Sequence, residues 1–461
     1  FKDRIKEKLN KMKLLEKQDF EISNYVKKYF EEVEGTPEIS KRKAEITRIA
    51  KGCEGARKTT GQHPGGMIVV PHDKSIYDFC PVQRPANDMT STSKTTHFDY
   101  HVMDEQLVKL DILGHDDPTT LRILQDLTGV DIYTIPLDDK EVMSLFSGTE
   151  ALGVTPEEIG SPTGTSGIPE FGTSFVKQML VDTKPKTFAE LVRISGLSHG
   201  ENVWLNNGKV LKDGHPEFGE IPFKNLIGCR DDIMITLISK YNVEPLLAFN
   251  AMEFIRKGNC RRNPAKWAEY ANQLRVFNVP EWYIYSCGLI NYMFPKAHAT
   301  AYVIMAIRIA WFKLHKPLLF YSAFFSKRAV QFDYTVMTSG KIAIGNKIRE
   351  LVQLGNEIKA KDQELLVTLK VAYEFCARGF SFSKLVVNES SAKIFNIKGN
   401  TLQMPFATIE GTGDTAAFES VNARKDGLYT SKEDFKARSG INKTVYKKFL
   451  DLGCLAELPD K

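Results

Sequence analysis

Lys94-Thr95-Thr96-His97-Phe98-Asp99-Tyr100-His101 is the stretch on which the reading of this chain turns. β-Branched and aromatic residues dominate it and a polar run at 87–93 precedes it, so it predicts a strand. Period-two geometry then sends His97, Asp99 and His101 to one face, with neighbours about 7 Å apart. An Asp inside a strand is unfavourable by propensity and calls for a reason. Three readings are open. A carboxylate is the hard ligand that Mg²⁺ takes, and two such ions clamp the attacking and leaving oxygens of a phosphoryl transfer. A His-Asp-His set suits a transition metal such as zinc or iron. The third reading is an edge strand with its polar face in water, because short motif matches are common.

Working outward, 67–70 is a second strand candidate, set off by Gly65-Gly66. Residues 1 to about 50 alternate Lys and Glu with apolar residues at helical spacing, which reads as solvated helix. After Asp111 the pattern is helical. Asp117-Pro118 predicts a capped helix start, and Gly129 its stop. Asp138 with Glu141 and Thr187 with Glu190 have capping-box spacing. Gly- and Pro-rich loops separate the helices, notably 160–172, and a composition shift near Val330 predicts a boundary. The most apolar stretch, 299–312 followed by 318–325, is broken by Arg308, Lys313, His315, Lys316 and Pro317. It predicts a buried core helix and no membrane association.

The bulk numbers narrow the class. A chain of 461 residues, 42% hydrophobic and 26% charged, is ordinary globular material in two to four compact units. Its formal net charge of +5 fits nucleic-acid binding, and fits many other enzymes equally well. Seven cysteines without zinc-ribbon or redox spacing predict free thiols in a reducing, cytoplasmic setting. A start at Phe1 predicts a piece of something longer.

Seven motifs occur in one order. They are Thr59-Thr60-Gly61-Gln62-His63-Pro64-Gly65-Gly66, the stretch at 95–101, and Leu107-Val108-Lys109-Leu110-Asp111-Ile112-Leu113-Gly114. Then come Ile168-Pro169-Glu170-Phe171-Gly172, Ser195-Gly196-Leu197-Ser198-His199-Gly200 and Gly228-Cys229-Arg230-Asp231-Asp232. Phe294-Pro295-Lys296-Ala297-His298-Ala299-Thr300-Ala301-Tyr302 completes the set. From residue 24 onward the chain resembles the C-terminal portion of bacterial C-family replicative DNA polymerases, the PolC-type DNA polymerase III alpha subunits.

That resemblance implies an α+β multidomain, mostly helical fold. A helical thumb-like segment (1–58) would precede a partial palm of the polymerase-beta nucleotidyltransferase kind (59–115). Helical fingers (116–330) and a duplex-binding tandem helix-hairpin-helix domain (331–461) would follow. Asp99 falls where the family has the third of three catalytic, metal-binding carboxylates, with Mg²⁺ as cofactor. The other two form an Asp-x-Asp pair that is not found before Asp99, so the chain is expected to be incomplete as a polymerase. Asp111 is the alternative carboxylate, against a plain helix or turn cap.

Lys94, Arg230, Lys296 and His298 are the candidates for nucleotide contact, because charge-assisted bonds suit a triphosphate. For Lys94 the competing role is surface solvation; for Arg230, pairing with the aspartates beside it; for Lys296 and His298, capping the long apolar helix. Gly411 and Gly413 resemble a hairpin that offers backbone N–H groups to a DNA phosphate. Arg424, Lys425, Lys443, Lys447 and Lys448 flank the hairpins as a phosphate-tracking site needs, and Glu410 replaces a proline common in the family.

The expected function is template-directed DNA synthesis in chromosome replication. The expected partners are primer–template DNA, deoxynucleoside triphosphates, the sliding clamp and other replisome proteins. The alternatives are a non-catalytic DNA-binding remnant or one half of a split polymerase and, more distantly, a metallohydrolase built on His97, Asp99 and His101.

Overall fold

The computed structural model describes residues 48, 51 and 52 and residues 61–461 apart from 113. Of the expected segment 1–58 only those first three positions are described, and they are helical; the rest lies outside the described residues. The chain divides into two units between Gly114 and His115.

In the first unit Met-Ile-Val, a run of good strand formers, builds β1 (Gly66–Val69). It pairs antiparallel with β4 (Val108–Asp111), Met67 opposite Leu110 and Val69 opposite Val108. Those four side chains share an exposed face, while Ile68 packs on a small core of Cys80, Met103 and Leu107. β2 (Val82–Gln83) and β3 (Thr95–Thr96) form a second, two-residue ladder. The expected strand at 95–101 therefore ends at Thr96. Asp99 instead caps a single 3₁₀ turn at Tyr100–Val102, accepting the His101 N–H at 3.0 Å. A short carboxylate satisfies a backbone donor two residues on more readily than it continues a ladder. The predicted face of His97, Asp99 and His101 accordingly does not form.

The second unit is helical. Its principal helices are α1 (Asp116–Thr128), α2 (Ser174–Thr183), α3 (Phe188–His199), α4 (Arg230–Tyr241), α5 (Pro245–Arg256), α6 (Pro264–Val276), α7 (Glu281–Leu289) and α8 (Lys296–His315). α9 (Pro317–Ala323), α10 (Lys341–Gln353) and α11 (Ala360–Ala377) follow. A small sheet then sets β7 (Thr401–Gln403) between β5 (Ser381–Ser383) and β6 (Asn396–Lys398). α12 (Asp414–Asn422), α13 (Lys432–Arg438) and α14 (Lys443–Asp451) close the chain.

Capping at Thr187 and Glu190 is as expected: each closes on the other's backbone at the start of α3. Two other caps move by one or two positions. Asp139, not Asp138, accepts Glu141 and Val142 N–H. His115 takes the cap of α1, leaving Asp117 buried.

The apolar α8 is buried nearly all round because two cores meet on it. Ala299, Val303, Ala306, Ile307 and Ala310 belong to one, and Ile309 and Phe312 to the other. The second core runs from Leu121 on α1 to Phe435, Phe449 and Leu458, so packing crosses residue 330 without a break. No helix among the described residues is long and apolar enough to cross a membrane.

Candidate functional site

In the first unit the Asp99 turn packs on β4. Tyr100 donates to the Leu107 carbonyl at 3.2 Å, and Lys109 lies 5.2 Å above its ring. Asp99 Oδ1 is 2.7 Å from His101 Nδ1, and both side chains are largely exposed. Asp111, neither helix nor turn cap, ends β4 opposite Gly66 and pairs with Lys109 at 3.3 Å. A side chain at position 66 would have to displace the His63 ring. A Cβ there would stand 2.8 Å from His63 Nδ1, which accepts the Gly66 N–H. Lys94 is exposed in the loop before β3. No group of three His, Cys, Asp or Glu side chains among the described residues is placed to hold a metal ion. Asp99 stands there as a single carboxylate, and Mg²⁺ does not fit the described residues by themselves.

The second unit brings Arg230, Lys296 and His298 together. The loop before α8 returns to the N-terminus of α4, where Arg230 N–H donates to the Phe294 carbonyl at 3.1 Å. Asp231 accepts the Lys296 N–H at 2.6 Å. Asp232 uses one oxygen for the Gly228 and Cys229 N–H groups and the other for the Lys296 ammonium at 2.9 Å. Arg230 is held more loosely, 3.9 Å from Asp231. One turn into α8, His298 stacks on Phe294 and lies 4.4 Å from the Tyr302 ring.

His199, at the end of α3, stands 5.8 Å from His298 and donates to Glu170 at 2.6 Å. Glu170 sits at φ 67°, a left-handed conformation that costs a non-glycine residue strain. Behind it Asp117 is held by His115 at 3.0 Å and Arg328 at 3.5 Å.

Electrostatics sort these rings. The Glu170 hydrogen bond raises His199, against the opposing effect of burial. Burial, and then the charge of His199, lowers His298. The His298 ring therefore favours its neutral form, and the cationic groups of this cluster are Lys296 and Arg230. Burial raises Asp117, while Arg328 and His115 pull it down.

Burial also works to raise Glu170, but its bonds and charge partners, His199 first, hold it below the usual carboxylate range. The Glu170–His199 pair thus adds stability in a window. It is lost as pH falls through the lowered Glu170 value and as pH rises through the raised His199 value. A double-mutant cycle of Glu170→Gln and His199→Gln should give a coupling of about 1–2 kcal/mol near pH 6, fading by about pH 9. Denaturant melts at both pH values check this, and a coupling that ignores pH would mean that His199 is uncharged.

At the C-terminus, Gly411 (φ 92°) and Gly440 (φ 69°) turn two hairpins. They are tied by Ser420, which donates to the Ser439 carbonyl, and by Tyr429, which donates to the Ser420 carbonyl. Gly413 is the N-cap residue of α12, and Asn442 caps α14. Lys425, Lys443 and Lys447 are exposed, without an ion pair among the described residues. Two of the expected phosphate contacts are otherwise engaged. The Arg424 guanidinium donates to the carbonyls of Val387, Ser390 and Val421. Lys448 pairs with Glu410 at 3.0 Å, as does Lys361. Lys361 and Lys448 hold Glu410 down at about 2.

Sequence reading missed His115, Asp117, Glu170, His199, Tyr302 and Arg328. Three of these, Glu170, His199 and Tyr302, lie inside motifs quoted above, which was the available signal.

Comparison with known proteins agrees with this layout. Residues 117–276 match the bacterial DNA polymerase III alpha subunit finger domain, 3–114 the bacterial DNA polymerase III alpha NTPase domain, and 379–461 a helix-hairpin-helix motif. The helical body and hairpins are thus of the replicative polymerase class. The chain is 52% identical over 421 residues to the DNA polymerase III PolC-type of Oceanobacillus iheyensis, covering 91% of this chain and 29% of that protein. Against the Bacillus subtilis protein of the same name the values are 52% over 437 residues, 95% and 29%. For that of Halalkalibacterium halodurans they are 51% over 436 residues, 95% and 29%. The chain belongs to the bacterial DNA polymerase III alpha family, PolC type, and spans under a third of the length of these relatives.

Proposed function

We propose that this chain serves template-directed DNA synthesis in bacterial chromosome replication, as the nucleotide-receiving and duplex-binding portion of a PolC-type polymerase. The observation that carries the reading is the gathering of Arg230, Lys296 and His298, from motifs some 65 residues apart, at the joint of α4 and α8. Asp231 and Asp232 hold the two cations in place, and a triphosphate replaces part of that pairing when it arrives. Arg230, the more loosely held, is free to form a forked contact with phosphate oxygens. His298 and Tyr302 offer a neutral aromatic surface beside them.

Residues 59–115 form part of the palm, 116–330 the fingers and 331–461 the duplex-binding domain. Asp99 is one of the carboxylates that hold catalytic Mg²⁺, with the others supplied from outside the described residues; Lys94 lies upstream on the approach to that site. When bound, the metal stabilises charge on the phosphoryl oxygens. The partners are primer–template DNA, deoxynucleoside triphosphates, the sliding clamp and the replisome, in the cytoplasm.

Primed duplex binds at the hairpins, where Gly411 and Gly413 expose backbone donors and Lys425, Lys443 and Lys447 face solvent. Binding should have little sequence preference and weaken steeply with salt, because phosphate contacts release counterions. Replacing Lys443 and Lys447 with Ala should reduce the slope of log K against log salt by roughly two, about one per phosphate contact. Arg424→Ala should lower stability instead. Fluorescence anisotropy across a salt series measures this, and an unchanged slope in the lysine double variant removes the hairpin face from the DNA site.

A further inference from the structure

A cavity of about 110 Å³ in the second unit is lined by Arg193, Lys224, Asp232, Lys240, Trp282 and Tyr283, among others. Three cations and one carboxylate share its wall, and the carboxylate is already engaged. Asp232 accepts two backbone N–H groups and the Lys296 ammonium. Lys224 and Lys240 are exposed, with no ion pair among the described residues; Lys240 leans over the Tyr241 ring at 5.4 Å. Arg193 is steadied by the Leu226 carbonyl. Tyr283 is 1% exposed, with Thr236 beside its hydroxyl.

We propose that this cavity is a second anion site, which takes a diphosphate group. Its volume holds several water molecules or one compact oxyanion. Its charge is positive, and the two ammonium groups and the guanidinium on its wall are all donors. The group comes either as free inorganic diphosphate or as the tail of a nucleoside polyphosphate.

For the first source the inference rests on the proposed polymerase reading. Nucleotide addition forms a bond from the primer 3′-oxygen to the α-phosphorus and breaks the α–β bridge. The diphosphate leaves with the bridging electron pair, and the hydroxyl proton passes to solvent. The cavity shares Asp232 with the cations assigned to the triphosphate, which places it next to the proposed nucleotide site.

Trp282 on the wall supplies the readout. Intrinsic fluorescence of the chain is titrated with inorganic pyrophosphate, orthophosphate and deoxyadenosine triphosphate, and Trp282→Phe isolates its signal among the four tryptophans. Pyrophosphate should change the Trp282 signal saturably, and the Lys224→Ala/Lys240→Ala double variant should weaken it roughly tenfold or more. His298→Ala should leave the pyrophosphate response unchanged; if it also fails to weaken triphosphate binding, that counts against the proposed function alone. Tighter binding of pyrophosphate than of the nucleotide identifies free diphosphate as the occupant; the reverse order identifies a nucleotide tail. No saturable change up to about 10 mM, or one indifferent to the lysine double variant, overturns the site.

Discussion

Asp99→Asn should cost about a hundredfold or more in the rate of deoxynucleotide incorporation, because losing a metal-holding charge removes several kcal/mol of transition-state stabilisation. The measurement requires a full-length PolC-type relative carrying this segment in place of its own, assayed by rapid quench. The substitution is mild for the fold. An Asn oxygen still accepts the His101 N–H, so the 3₁₀ turn at Tyr100–Val102 keeps its cap. What disappears is the negative charge, which a neutral amide cannot restore. DNA affinity should stay near that of the parent, since the hairpin lysines lie in the other unit. Asp111→Asn is the companion variant. Its carboxylate pairs with Lys109 at the end of β4, and its loss should cost far less. A normal rate in Asp99→Asn beside a dead Asp111→Asn would move the catalytic assignment to Asp111. Normal rates in both would end the palm reading.

Lys313→Met should destabilise the second unit by about 3–5 kcal/mol, the usual consequence of removing one partner from a buried ion pair. Lys313 and Glu374 are both wholly buried and 2.6 Å apart. The ammonium also donates to the Gly164 and Ser166 carbonyls, while Tyr321 donates to Glu374. Burial pushes Lys313 down to about 8. Nearby Lys177, likewise pushed down to about 8, donates to Ser161 and Ser166. This network fastens the 160–172 loop, and with it Glu170, to α8 and α11. Adding Glu374→Gln to Lys313→Met removes the stranded charge and should return part of the loss. Denaturant unfolding followed by helical circular dichroism measures both. A loss below about 1 kcal/mol would mean the pair has access to water.

Much of this was legible in the chain itself. Met67 to Val69 announced a strand by composition. The residues of α8 announced a buried helix by being apolar with too many interruptions for a membrane, and Thr187 with Glu190 marked a helix start by spacing alone. These are local properties, set by backbone geometry and by neighbours within one or two turns. Where the reading slipped, a competing local bond won: Asp99 took a backbone donor in place of a strand position, and His115 took the cap expected of Asp117. The break expected at Val330 marked a change in composition, whereas the core beneath it is continuous because Leu121 and Ile309 pack in the same cluster as Phe435.

The class of fold, the family motifs and the residue types the chemistry needs can all be read along the chain. How those residues meet depends on packing. Glu170 reaches His199, and burial together with the charge of His199 depresses His298, across three elements far apart in the chain. Arg424 and Lys448 look like phosphate contacts in the sequence, yet backbone carbonyls and Glu410 claim them. A cation's partner depends on which acceptor lies within about 3 Å once the chain is packed, and one-dimensional spacing carries no such distance.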